Sequence, residues 1–240
     1  MRPFSTGAFA LGCRKIWHLG VFVQAVVLFG VRSPISVEFE ESCFRQNIPV
    51  SAAVSLGKGP RVLQTGKIVD LAAFDPASSD PFYACAFAPH RRKALFDQAT
   101  ALGLHPAPAL IDPNATLARS VRIGLGSFVN AGVIIGAVAH IGDGVLINRA
   151  ASVGHHTMIG DFVSIGPAAT LAGNVRVGSG SIIGAGAIVL PDVRIGENCV
   201  IAGGALVRKH VKDNTCVAGN PSRPIPFNIK KSSLWIEDAE

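Results

Sequence analysis

Residues 141 to 176 read Ile141-Gly142-Asp143-Gly144-Val145-Leu146, Ile147-Asn148-Arg149-Ala150-Ala151-Ser152, Val153-Gly154-His155-His156-Thr157-Met158, Ile159-Gly160-Asp161-Phe162-Val163-Ser164, Ile165-Gly166-Pro167-Ala168-Ala169-Thr170 and Leu171-Ala172-Gly173-Asn174-Val175-Arg176. Each block of six opens on Ile, Leu or Val, and the same count extends unbroken from Ile111 to Val207. The fifth place is only Ala, Val, Ser, Thr or Cys, from Ala115 to Val211, and the second is usually Gly, Asn or Asp. Helical amphipathicity recurs at about 3.6 residues and heptads at 3.5, so neither yields a strict six. Six is the period of a hexapeptide β-helix, with roughly eighteen residues to a three-sided coil. The first residue of each unit points inward as an aliphatic peg, and the fifth fills a corner too narrow for a bulky side chain. Gly, Asn or Asp at the second place suits a turn with positive φ. The period as read stops after Val211, where Ala218 to Pro224 form a turn-rich cap to the open end.

Working outward, the rule of eighteen sorts the outward sixth positions into three columns. Arg122, His140, Met158, Arg176, Arg194 and Lys212 make a mostly basic one, suited to ligand phosphates or to solvent. Thr116, Ile134, Ser152, Thr170, Ile188 and Leu206 make a mixed one. Phe128, Leu146, Ser164, Ile182 and Val200 make an apolar one that needs a cover, which predicts self-association through it.

Ahead of the repeat the pattern is different. Ala25 to Gly30 reads as a buried parallel strand, then a turn through Val31-Arg32-Ser33-Pro34 and a helix over 35–46 with Ser33 as N-cap and Pro34 as first residue. Strands over 48–54 and 82–87 and a helix over 91–102 ended by Gly103 complete a small Rossmann-like α/β domain. The expected division is an extension over 1–22, the α/β domain over 23–106, the β-helix over 107–216, and a cap and tail over 217–240. Gly30, Arg32 and Ser33 are candidate substrate-binding residues at the strand-to-helix turn, although one glycine is a thin phosphate-binding signature.

Composition narrows the function classes. Of 240 residues, 49% are hydrophobic and 16% charged, with 7% aromatic and 26 glycines, which suits a tightly wound coil. The net charge of +6 comes without a basic block interleaved with aromatics, so it favours an anionic small molecule over nucleic acid. Five scattered cysteines, never in a CxxC pair, argue against disulfides and structural zinc and fit a reducing cytoplasm. The apolar run from Ile16 to Val31 is interrupted by His18 and Gln24 and lacks a small-x-small cleavage site, so neither secretion nor membrane attachment is expected.

His155 and His156 are the one adjacent histidine pair, and His155 stacks by count over Gly173. An imidazole beside an exposed amide is a minimal kit for acyl transfer: a base that works near neutral pH and a donor for an oxyanion. A solvated surface pair is the plainer reading. A three-histidine metal site needs converging imidazoles, and His140, His155 and His156 are not spaced to supply them. A non-catalytic scaffold is the third reading.

A small α/β domain followed by a hexapeptide β-helix resembles the sialic-acid O-acetyltransferase/PglD-like bacterial sugar acetyltransferases. The resemblance rests on Ile147-Asn148, Val153-Gly154-His155, Ile159-Gly160-Asp161-Phe162, Leu171-Ala172-Gly173-Asn174 and Gly219-Asn220-Pro221. It implies a left-handed coil, a cytoplasmic homotrimer with sites between neighbouring coils, and acetyl-CoA as donor without a metal. It further implies His155 as general base, the Gly173 amide on the thioester carbonyl, Asn148 and Arg149 by the acceptor sugar, and Gly203, Lys209, Pro221 and Arg223 along coenzyme A. The family usually follows the catalytic His with Glu or Asp. His156 stands there instead, which leaves Asp161 or Asp143 as the nearest carboxylate substitutes in sequence.

Overall fold

The computed structural model describes residues 24–57, 63–64, 66–76 and 80–226. The predicted extension over 1–22, Cys13 and the tail over 227–240 lie outside the described residues. The N-terminal unit has strands β1 (Val26–Phe29), β2 (Val50–Ser55), β3 (Ile68–Asp70) and β4 (Phe82–Ala84), with helices α1 (Ser36–Arg45) and α2 (Pro89–Ala101). They form one parallel sheet in the order β3-β2-β1-β4. Alternation along β1 explains the layering. Val26 and Leu28 pack with Phe39 and Cys43 of α1, while Val27 and Phe29 pack with Leu95 and Ala99 of α2. Strand β3 was not anticipated.

The turn after β1 differs from expectation. Helix α1 begins at Ser36, and no side chain caps it. The Ser36 hydroxyl instead turns back to donate to the Ser33 carbonyl at 2.8 Å. Gly30 is required twice over: its φ is +84°, and a Cβ would fall 2.4 Å from Leu95.

From Leu110 onward the chain is a three-faced parallel β-solenoid of two-residue strands. Face I stacks Leu110–Ile111, Phe128–Val129, Leu146–Ile147, Ser164–Ile165, Ile182–Ile183 and Val200–Ile201. Face II runs through Ser152–Val153 and Thr170–Leu171, and face III through Met158–Ile159 and Arg176–Val177. Register follows the rule of eighteen, with Val153 paired to Leu171 and Ile147 to Ile165. The pegs and corner residues predicted to point inward form one buried core from Ile111 to Val217.

Positive φ falls on the fourth place of the unit, not the second: Ala150, His156, Phe162, Ala168, Asn174 and Gly180 all show it. Glycine at the second place has another cause. A Cβ on Gly154 would lie 2.5 Å from the Ala172 carbonyl carbon, and one on Gly178 2.5 Å from that of Gly196. Those glycines let successive coils touch backbone to backbone.

The last coil is two residues short. Ile195 bridges to Val211, and Val200 pairs with Cys216. The Arg194 amide therefore donates to His210 Nδ1 at 3.0 Å, and His210 rather than Lys212 continues the basic column. Cys216–Ala218 stays on face I and folds back against Arg223–Ile225 as an antiparallel hairpin, so the final rung reaches past 216.

The apolar column does not lie open for a second copy. Phe128 and Leu146 are fully buried in one core with Phe39, Cys43 and Tyr83, the Phe39 and Phe128 rings standing 4.3 Å apart. The chain covers Phe128 and Leu146 of face I with its own α1, each side chain contributing about 2 kcal/mol of burial. Polar contacts fix the docking. The Arg92 guanidinium, 1% exposed, donates to the carbonyls of Gly144, Ala86, Phe87, Phe162 and Val163. Asp112, at the first coil, accepts from the Ser42 hydroxyl at 2.7 Å, the Arg45 guanidinium at 2.8 Å and the Asn114 amide at 2.9 Å. Burial alone would raise its carboxyl, but these donors together hold it below the ordinary carboxylate value.

Candidate active site

The chemistry-bearing residues gather at the corners between faces. Gly154 to Thr157 turn the chain from face II to face III. His155 and His156 are both exposed on that corner. One rung on, Gly173 occupies the same place, and the Asn174 amide donates to the His155 carbonyl at 2.8 Å. The imidazole lies on the Gly173 backbone: a Cβ there would meet His155 Cε1 at 2.6 Å and Nε2 at 2.7 Å. Any side chain at 173 would thus displace the ring. Among the described residues the Gly173 amide has no protein hydrogen-bond acceptor, so it remains available to an outside oxygen.

The two imidazoles meet edge to face at 88°, with Nδ1 to Nδ1 at 3.0 Å. Among the described residues no carboxylate is hydrogen-bonded to either imidazole in place of the acid that the resemblance expects after His155. Asp143 and Asp161 lie on the corner between faces III and I, where their Oδ1 atoms accept the amides of Leu125 and Asp143. The face between the corners separates them from His155.

The remaining candidates fall elsewhere. Asn148 and Arg149 lie on the corner between faces I and II, and Gly203 occupies the equivalent place on a later rung. Asn148 is 7% exposed, and its Oδ1 accepts from Asn130 Nδ2 and the Arg149 amide. Glu38 of α1 pairs with the Arg149 guanidinium and accepts from Asn130 Nδ2, so this corner is a junction with the N-terminal unit. Glu38 was missed, and the only trace of it in the sequence is an acidic residue one turn inside a helix. Lys209 shares the corner of His155 and Gly173, three rungs along and exposed. Pro221 and Arg223 lie in the closing hairpin, where the Ser222 amide donates to the Leu206 carbonyl.

At the turn after β1, the amides of Gly30 and Val31 donate to the Val54 carbonyl and that of Arg32 to the Gly30 carbonyl. Arg32 donates to the Leu56 carbonyl at 3.2 Å through one guanidinium nitrogen, while its Nε is buried with no hydrogen-bond partner among the described residues. Ser33 is buried. A ligand here would meet the Arg32 side chain rather than a ring of amides.

Among the described residues, cysteine chemistry does not compete. Cys43, Cys85, Cys199 and Cys216 are free and buried, and burial raises each thiol, that of Cys43 to about 12 with help from Glu40. Among the described residues no group of three His, Cys, Asp or Glu is placed to hold a metal ion, and no helix is long and apolar enough to cross a membrane.

Residues 174–209 match the family model described as bacterial transferase hexapeptide (six repeats). No curated protein sequence matches the chain. Among solved structures, PerB from Caulobacter crescentus, in complex with CoA and GDP-perosamine, is 30% identical with a TM-score of 0.78, covering 85% of this chain and 99% of that one. A variant of GDP-perosamine N-acetyltransferase from the same organism, one histidine changed to alanine and bound to the same two ligands, is 30% identical with a TM-score of 0.79, covering 86% and 99%. The acetyltransferase domain of PglB from Neisseria gonorrhoeae, in complex with acetyl coenzyme A, is 28% identical with a TM-score of 0.70, covering 84% and 99%.

Proposed function

We propose a mechanism from one premise: this chain belongs to the hexapeptide-repeat sugar N-acetyltransferases. It is an acetyl-CoA-dependent acetyltransferase acting on a sugar or nucleotide-linked sugar. The acceptor is an amine, attacking the thioester directly. His155 Nε2 takes the amine proton as the nitrogen–carbon bond forms, and the Gly173 amide donates to the developing oxyanion. The carbon–sulfur bond then breaks, and the proton passes from His155 to the departing sulfur. The observation that carries this reading is the His155 ring lying on Gly173 beside an amide with no protein acceptor among the described residues.

The donor's pantetheine arm would run past Gly173 and Gly203, with Lys209, Pro221 and Arg223 toward its phosphate end. The acceptor would meet Asn148 and Arg149, with Arg32 and Ser33 beyond them. His155, Gly173 and Lys209 lie on one corner of the coil and Asn148, Arg149 and Gly203 on another, with face II between them. Two copies packed through face II would bring His155 and Gly173 of one against Asn148, Arg149 and Gly203 of the next. Exposed Ile134 (55%) and Ile188 (45%) on that face support this packing. We therefore assign a homotrimer with shared sites, working in the cytoplasm where acetyl-CoA is made.

A free-thiol assay with acetyl-CoA against nucleotide-linked amino sugars, simple amino sugars and serine tests the substrate class. Thiol release is expected with a nucleotide-linked amino sugar; release with serine alone would refute it. His155→Ala should lower kcat by about 10² to 10⁴-fold. Undiminished turnover in that variant would remove His155 as the base.

A further inference from the structure

We propose that His156 is a positioning residue, a neutral acceptor that holds His155 in the one tautomer able to act as a base. This rests on the reading of His155 given above. A hydrogen bond between two Nδ1 atoms 3.0 Å apart holds a single proton between them. For His155 Nε2 to receive a proton, its lone pair must be free, so the ring's own proton sits on Nδ1. That proton is donated to Nδ1 of His156, which forces the proton of His156 onto its Nε2. The pair is thereby fixed in one arrangement with no carboxylate taking part.

The fourth-place turn makes this possible. His156 has φ +58°, the left-handed value shared by its counterparts on other coils, and its amide donates to the Ala137 carbonyl at 2.9 Å. The backbone is therefore held by the coil, and on it the two rings stand edge to face. During transfer the acceptor's proton arrives at His155 Nε2. The Nδ1 bond then becomes an imidazolium donating to a neutral imidazole, a stronger, charge-assisted bond. When Nε2 gives its proton to the departing sulfur, the pair returns to its starting arrangement, and no proton is gained or lost. A carboxylate would add an attractive charge that His156 lacks. The charged or titratable groups flanking the pair are His140 and Arg176 on face III, together with Asp192, which lies along the corner and accepts from Asn174 Nδ2 at 2.7 Å.

The test uses the full-length chain with acetyl-CoA and the acceptor from the thiol assay. Long-range nitrogen-15 correlation spectra of histidine-labelled protein should show His155 protonated on Nδ1. In His156→Ala that signature should disappear, and kcat should fall about 10- to 100-fold with KM for acetyl-CoA unchanged. His156→Gln, whose amide oxygen can accept the same bond, should restore the signature and most of the turnover. His156→Glu should match or exceed the wild type, with the acid limb of its pH–kcat profile moved to higher pH, because a carboxylate stabilises the protonated ring. Two results would overturn the proposal: Nε2 protonation of His155 in the wild type, or full turnover and an unchanged spectrum in His156→Ala. If His156→Ala is fully active while His155→Ala is dead, only this inference fails. Full activity in His155→Ala would instead defeat the underlying mechanism. Should the alanine variant misfold, the wild-type spectrum and His156→Gln still decide.

Discussion

Faces I and II of the solenoid obey the same sequence rule and meet different fates. On face I the outward side chains Phe128, Leu146, Ile182 and Val200 are at most 2% exposed, whereas Ile134 and Ile188 on face II are about half open. The difference lies in what stands beyond the coil. Helix α1 brings Phe39 and Cys43 down onto Phe128 and Leu146 of face I, and among the described residues nothing packs so on Ile134 and Ile188 of face II. An apolar outward column therefore says that something covers it, but not what.

Matched substitutions break or sharpen that contrast. The largest effect is expected from Leu146→Glu. It would leave an unpaired carboxylate between face I and the N-terminal sheet and lower stability by about 4 kcal/mol, read as a collapse in urea midpoint. A midpoint within experimental error of the wild type would show that α1 does not seal this face. Next comes Ile134→Glu with Ile188→Glu. Here the melting temperature of the protomer should hold, while light scattering should report loss of the trimer and acetyl transfer should fall with it. An unaltered trimer would remove face II as the contact and, with it, the shared site.

Asp112→Asn should have the smallest effect. The Asp112 carboxyl is held below its unfolded value, so it adds stability above about pH 4 that is lost as pH falls through the depressed folded value. The variant should melt lower than the wild type at pH 7, and the gap should close as the pH is lowered toward 3. A gap that stays constant with pH would mean that the carboxylate's charge does not hold the first coil to α1.

Much of the solenoid was legible because its rule is local and repeated. Each aliphatic first residue and each small fifth residue faces inward whatever the rest of the molecule does, so counting by six from Ile111 located the core. The same counting put His155 over Gly173. It failed where two residues are missing, and so gave Lys212 the place that His210 takes beside Arg194. It also assigned the second-place glycines to turn conformation, when their role is the approach of one coil's backbone to the next. In the N-terminal unit, β1, β2, β4 and both helices were legible from alternation and turn residues. Short β3 was not, nor the uncapped start of α1, since three residues give too little pattern to read.

By itself, then, the sequence determined the coil, its register up to the last turn and the stacking of an imidazole on a glycine, because an unbroken count of six leaves one way to align successive rungs. Only the tertiary structure decided which apolar face the chain keeps for itself and that Glu38 ties down Arg149. Those outcomes depend on how the N-terminal unit meets the solenoid, and residues so far apart in the chain carry no periodic signal of one another.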